Sequence, residues 1–320
     1  NEGGVLKKYN YIYGPVPSRR MGISLGISPI LKKTCNLSCV YCQLGKTENM
    51  TNTCREFIPK DKILTEINRY LSNNNSFDVI TIVGEGEPTL YLYIDELINL
   101  IKKLSDKPVA VITNGALLYK KDIRKKLMNA DIVLPSFDAY NQKLFKKINR
   151  PFKKITFDKF YNGLIQFSKE FKGQIWIEIM LLKNINDDLD SIHKFKEKLK
   201  KINYERIFIN TPVRPPAETY IKQPNKQNIK RACEILKATS INNLISEGFD
   251  SINTNPYEAI LSIIRRHPMN QYEIDTFLRS KNIKNIKEEY DKYWYYNLWK
   301  ISKLRRWQMF KIYEKKRRCL

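Results

Sequence analysis

The sequence has no run of about 18 consecutive apolar residues, the least that spans a bilayer as a helix, so no stable membrane insertion is expected. Its basic N-terminal stretch lacks an apolar core followed by a small-residue cleavage site. That argues against a secretory leader and makes a reducing cytoplasm the expected compartment. Acidic residues are outnumbered, 33 against 57 basic, for a formal charge of +24. Such an imbalance favours polyanionic partners, nucleic acid first, and says nothing about fold. Only two histidines occur, and His267, read as a metal ligand, has no companion ligand nearby. Short cysteine clusters are scarce as well, since there is one. Structural zinc sites usually pair two, which disfavours a zinc site completed by Cys54. A disulfide framework is disfavoured because three crowded cysteines leave one unpaired.

That one cluster is CNLSCVYC, with Cys35, Cys39 and Cys42 spaced CxxxCxxC. So many thiolates so close together have little use except to hold metal. Three thiolates cannot satisfy the four irons of a cubane, so one iron is left open to a substrate or cosubstrate.

The motif, with Tyr41 immediately before its third cysteine, resembles the signature of the radical S-adenosylmethionine (SAM) enzymes. The resemblance implies a 4Fe-4S cluster on Cys35, Cys39 and Cys42, with SAM chelated to the open iron through its amino and carboxyl groups. It also implies a reducing electron donor such as a flavodoxin or ferredoxin. Reductive cleavage would give methionine and a 5'-deoxyadenosyl radical, chemistry that no side chain supplies. Tyr41 would stack near the SAM adenine; outside that setting it is simply core. The lead GPVPSRR and the following YCQLGKT resemble a compact subgroup placed with the wybutosine-synthase-like enzymes. No second CxxxCxxC or CxxC occurs, so a two-cluster synthase of the wybutosine type is not supported. Arg19 and Arg20 in the lead carry planar guanidinium groups suited to a substrate carboxylate or phosphate, against the plainer reading of two solvated arginines.

At 320 residues and 42% apolar composition, the chain can bury one large core and a small second one. Beyond the cysteines, strand-like and helix-like segments alternate, as in parallel strands joined by crossover helices. Ile63, Leu64, Ile67 and Leu71 fall at helical spacing over 60–73. DVITIVGEGEPTL reads as a buried strand, Val79 to Val83, ending in a glycine-rich turn. Further strands are expected in VAVITNG, DIVLPSFDAY, QIWIEIMLL and RIFINTPVRPPAE, with helices near 93–104, 156–169, 187–201 and 225–239 and a further helix leading into DIVLPSFDAY. With the strand that delivers Cys35, six units result. The expected fold class is α/β: a partial (β/α)6 TIM-type barrel over 1–240, open on one side.

In the resembled family a GGEP-type turn after the second strand presents backbone and a carboxylate to the SAM amino group. Gly86, Glu87 and Pro88 match it here, with Gly84 and Glu85 adjoining. Family members also place polar groups at later strand ends to hold the ribose hydroxyls and the methionine carboxylate. Thr113, Asn114, Gly115, Ser136 and Asp138 occupy those ends. Each alone suits a turn or a helix cap; repetition at successive strand ends favours the site, since such barrels work at the C-terminal edge of their strands. Glu178, in the fifth strand, either enters the barrel toward cofactor or substrate or forms a structural pair. Arg214 either binds a substrate anion or forms an ion pair.

Cys233, in the helix over 225–239, reads as a small buried residue. A polar linker over 241–255 precedes a module over 256–320, expected to be helix-turn-helix or winged-helix-like and to end in a basic aromatic helix. From Lys300 to Arg318 there are nine basic residues and one acidic. Interleaved cations and rings hold phosphates and stack bases, so RNA, with tRNA the first candidate, is the expected substrate. The alternatives are a radical SAM enzyme acting on a peptide or small metabolite, and a non-catalytic iron-sulfur sensor of nucleic acid. Cys54 is either an auxiliary ligand or radical-quenching thiol or, as is commoner for a lone cysteine, structural, and Cys319 carries no assigned role.

Overall fold

The computed structural model describes residues 9–72 and 76–241. The expected linker beyond Ile241 and the module at 256–320, with His267, Cys319 and the basic aromatic helix, lie outside the described residues.

The described chain enters as a hairpin, in which β1 (Ile12–Ser18) runs antiparallel to β2 (Gly22–Ile27). Pro15 and Pro17 remove two ladder donors from β1, and the strand accordingly takes the sheet edge. Two two-residue strands, β3 (Thr34–Cys35) and β4 (Asn49–Met50), pair in parallel and bracket the cysteine loop. The alternation read from the sequence follows: α1 (Lys60–Leu71), β5 (Val79–Ile82), α2 (Ile94–Leu104), β6 (Val109–Thr113), α3 (Lys121–Leu127) and β7 (Ile132–Pro135). After it come α4 (Gln142–Ile148), α5 (Phe157–Glu170), β8 (Gln174–Met180), α6 (Leu189–Leu199), β9 (Arg206–Asn210), α7 (Lys226–Leu236) and β10 (Thr239–Ser240). The main sheet is ordered β1-β2-β5-β6-β7-β8-β9-β10, and every pairing from β2 onward is parallel. This is a mixed α/β fold with a parallel sheet, consistent with a partial barrel. The hairpin strand β1, the short β10 and the helix α4 are additions to what the sequence pattern suggested.

Strands buried on both faces read as continuous apolar runs, which is why VITI and IVLP are buried throughout. Alternation nevertheless separates the faces. One carries Ile80, Val109, Val111, Val133, Ile177 and Ile209, all fully buried. The other gathers Val79, Ala110, Ile132, Leu134, Trp176 and Phe208 into one apolar cluster with Ile241. Further along that second face the residues turn polar. Ser24 and Thr81 share a hydroxyl hydrogen bond of 2.7 Å, and Glu178 and Asn210 bond at 3.1 Å.

Helix starts follow capping chemistry. Asn141, Thr156, Asp188 and Asn225 each accept a backbone N–H three residues on, from Leu144, Lys159, Ser191 and Asn228. No helix among the described residues is long and apolar enough to cross a membrane.

Candidate cluster and cofactor site

The cysteine loop is clamped at both ends. At its start, the turn after β5 docks on the residue before Cys35: Gly86 bridges Thr34 in parallel register, and Glu87 N donates to the Thr34 carbonyl at 3.0 Å. A Cβ on Gly86 would lie 1.8 Å from that carbonyl oxygen, so the approach requires glycine. On its far side, the segment between α4 and α5 straps the loop down. Ser38 N donates to Asn149 O at 3.0 Å, Val40 N to Ile148 O at 2.9 Å, and Phe152 N to Asn36 O at 2.9 Å.

Glu87 is buried and uses both carboxylate oxygens within the protein. Oε1 accepts Thr89 N at 3.0 Å and the hydroxyls of Thr89 and Thr113 at 2.5 Å, and Oε2 accepts Asn114 N at 2.7 Å. Burial raises its pKa, and these hydrogen bonds oppose the rise. The result ties the turn after β5 to the end of β6. There Gly115 adopts φ +73°, a left-handed conformation that favours glycine, and donates its N–H to Thr113 Oγ1 at 3.0 Å. Asn114 Nδ2 then reaches Asn36 Oδ1 at 2.7 Å and Cys35 Sγ at 3.5 Å.

Asp138, just past β7, forms a second hub. Oδ2 accepts the Tyr41 hydroxyl and, at 2.9 Å, Asn149 Nδ2; Oδ1 accepts Met180 N at 2.9 Å. Asn149 Nδ2 also reaches Cys39 Sγ at 3.5 Å. Burial lifts the Asp138 carboxyl to about 6, against the hydrogen bonds from Tyr41, Met180 and Asn149, with the Glu178 charge adding to the rise. In the cluster-free protein the folded state therefore keeps this proton while the unfolded chain, near 3.8, has lost it. Stability is lost as pH rises between those values, on the order of 3 kcal/mol from this group, and the cost is constant above the upper one. Asp138→Asn is expected to flatten that part of a urea-midpoint-versus-pH curve, and an unchanged slope would count against this account of Asp138.

The three thiols are free of disulfides. Cys35 is pushed up to about 12 by burial, then by the Glu87 charge and by Cys42. Cys39 is pushed up by burial, Asp138, Cys35 and Cys42. Thiols that mutually oppose ionisation are what a cationic group would convert to thiolates. Among the described residues no three His, Cys, Asp or Glu groups close on one metal-ion position. A cubane distributes its thiolates over separate irons and needs no such convergence. Thr34 Oγ1 and Asn36 Nδ2, which flank Cys35, are buried without a protein partner. With Asn114 and Asn149 already donating to thiol sulfur, the donor set fits an iron-sulfur cluster, whose sulfurs accept hydrogen bonds.

The structure draws most of the expected site residues into these two hubs. Ser136, whose N donates to Thr113 O at 3.1 Å, bridges Glu178 on β8. Arg20 donates through Nη1 to Glu178 Oε2, so two expected substrate residues pair with each other; Arg19 is next to Arg20 in the β1–β2 turn. Arg214 Nη1 donates to Gln43 Oε1 at 2.7 Å, beside Cys42. Cys54 Sγ donates to Thr89 O at 3.5 Å, and Cys233 is half-buried in α7. Pro88 opens the short helical turn Pro88–Leu90, and Gly84 precedes it in the same connection. Sequence reasoning missed Asn36, Asn149 and Asn210, because asparagine in loops reads first as a turn former.

Three half-buried thiols on one loop, clamped to the ends of parallel strands and edged with amide donors, fit a protein that carries a metal cluster on an α/β sheet. The chain belongs to the radical SAM superfamily: the Radical SAM family model matches residues 30–196, from before the cysteine loop into α6. It is accordingly an enzyme of this class, with a 4Fe-4S cluster and SAM as cofactors. A UPF0026 protein of Methanocaldococcus jannaschii is 37% identical, covering 87% of this chain and 93% of its own. A Brachyspira hyodysenteriae protein named GTPase Obg is 42% identical over 72% of this chain, which spans only 34% of that relative's length. More distant is a Fervidobacterium nodosum protein named as a probable dual-specificity RNA methyltransferase, 23% identical over 66% of this chain and 61% of its own. A radical SAM methyltransferase structure from Sphaerobacter thermophilus shares the fold, with TM-score 0.51, 15% identity and coverage of 68% and 65% of the two chains.

Proposed function

We propose that the protein modifies an RNA, with tRNA the first candidate, by hydrogen abstraction at a site built on the cysteine loop. The observation that carries the substrate class is charge: +24 overall, with nine basic residues against one acidic from Lys300 to Arg318. The relative named as an RNA methyltransferase, which aligns with two thirds of this chain, supports the same class.

In this reading Cys35, Cys39 and Cys42 hold the cluster. When bound, the cluster and SAM supply reductive sulfonium cleavage and a hydrogen-abstracting carbon radical. The remaining work belongs to side chains and backbone. The turn of Gly84, Gly86 and Pro88 offers backbone to SAM, and Glu87, with both oxygens engaged, is a positioning residue that fixes Thr113 and Asn114. Asp138 holds the Tyr41 ring through its hydroxyl, setting the face that the adenine meets. Ser136, on the strand face that turns polar, offers a hydroxyl to the ribose. Arg20, paired with Glu178, and Arg214, held by Gln43, keep two guanidinium groups for the substrate anion.

The test is nucleoside mass spectrometry on total tRNA after incubation with reduced enzyme and SAM. A nucleoside mass change that disappears with Cys42→Ala is expected. Unaltered RNA, alongside SAM-dependent consumption of a peptide or small metabolite, would contradict the substrate class.

A further inference from the structure

One charged surface is left over by this reading. From Lys143 to Lys154 the sequence has six basic residues and no acidic one. Lys143, Lys146, Lys147, Lys153 and Lys154 are exposed. Here a cleft of about 360 Å³ is lined by Lys146, Arg150, Pro151, Phe152, Lys153 and Ile155. Lys46 and Arg150 share Glu218, whereas among the described residues Lys146 and Lys153 have no ion-pair partner.

The inner side of this segment is the strap on the cysteine loop. Leu37 forms an antiparallel bridge with Pro151, and Ser38 N donates to Asn149 O at 3.0 Å and Arg150 O at 3.3 Å. Asn149 Nδ2 is 3.5 Å from Cys39 Sγ. Arg150, whose backbone lies at φ +46°, thus follows directly on the residue that touches the thiol. The path from a cationic surface to a cluster ligand is one residue and one hydrogen bond long.

We infer that the cleft of Lys146, Arg150, Phe152 and Lys153 is the docking surface for an acidic one-electron carrier protein that reduces the cluster; the inference rests on the cluster reading above. The complementary charges steer the encounter. One electron leaves the carrier, which is oxidised by one, and enters the cluster, which is reduced by one; no group is transferred. Buried Asn149, the residue before Arg150, reaches the Cys39 thiol at 3.5 Å, so a molecule seated on the cleft lies one residue behind a cluster ligand. That proximity favours a redox partner over RNA at this surface, because electron transfer needs closeness to the cluster and phosphate binding does not.

The test uses the full-length, cluster-loaded protein and a reduced flavodoxin as probe, with cluster reduction followed by anaerobic stopped-flow absorbance. Lys146→Glu with Lys153→Glu is expected to lower the second-order rate by about tenfold or more and to weaken its salt dependence. Reduction by dithionite and iron content should stay unchanged. A flavodoxin rate equal to that of the unaltered protein would overturn the inference, as would loss of tRNA binding with the flavodoxin rate intact, which would make this an RNA contact. If the unaltered protein holds no cluster that dithionite can reduce, the cluster reading itself fails, and that result is distinct from the others.

Discussion

Gly86→Ala is expected to cost several kcal/mol and most of the cluster. The new Cβ would sit 1.8 Å from the Thr34 carbonyl oxygen and 2.7 Å from its carbon, both backbone atoms with no rotamer to escape into. Relief requires the turn and the root of the cysteine loop to separate. That breaks the bond from Glu87 N to Thr34 O and the neighbouring one from Lys33 N to Glu85 O at 2.5 Å. Overpacking costs about 1–3 kcal/mol, and an orphaned buried polar group about 1–3 more. Urea denaturation of the cluster-free protein reads the first loss, and iron per chain after reconstitution reads the second. Gly84→Ala is the control: its Cβ meets nothing nearer than the Ile30 side chain at 3.3 Å, so a small shift suffices. Equal losses for the two variants would show that the turn does not clamp the loop.

Cys39→Ala is expected to lower cluster retention by more than about a hundredfold, beyond the 10–100-fold that loss of an outer hydrogen-bonding partner costs. The cluster would keep two thiolates, and the sulfur that Asn149 contacts would be gone. Cys54→Ala should leave iron and sulfide content unchanged, since that thiol bonds the Thr89 carbonyl. Both contents are read chemically and by absorbance after anaerobic reconstitution. Cluster loss in Cys54→Ala equal to that in Cys39→Ala would make Cys54 a ligand and return the zinc-like four-thiolate arrangement to consideration.

Much of the sheet was legible because parallel strands must be apolar on both faces. VITI, VAVIT and IVLP announce themselves as short unbroken runs, and polar residues at their ends mark where the strands stop. The hairpin strand β1 was hidden by Pro15 and Pro17, which argue against a strand in general but not against an edge. Thr239–Ser240 is too short to leave a periodic pattern. The site was legible wherever its chemistry is local: three cysteines in eight residues, and a glycine turn one helix later. Contacts over long separations were not. Arg20 and Glu178 are 158 residues apart, Tyr41 and Asp138 97, and Asn149 and Cys39 110. In each case the sequence supplies a residue with several satisfactory local uses, and tertiary packing alone selects among them. Asn149 is the sharpest example. It sits at a helix end, where asparagine needs no further reason, and yet its amide touches both a buried carboxylate and a cluster thiol.

The most direct measurement is 5'-deoxyadenosine, quantified by mass spectrometry after the cluster-loaded protein is mixed anaerobically with SAM, dithionite and total tRNA. The account predicts that it forms, that tRNA raises its yield above that seen without RNA, and that Cys39→Ala abolishes it. A protein that holds its cluster, binds tRNA and still forms none would contradict the account and point to an iron-sulfur sensor of nucleic acid.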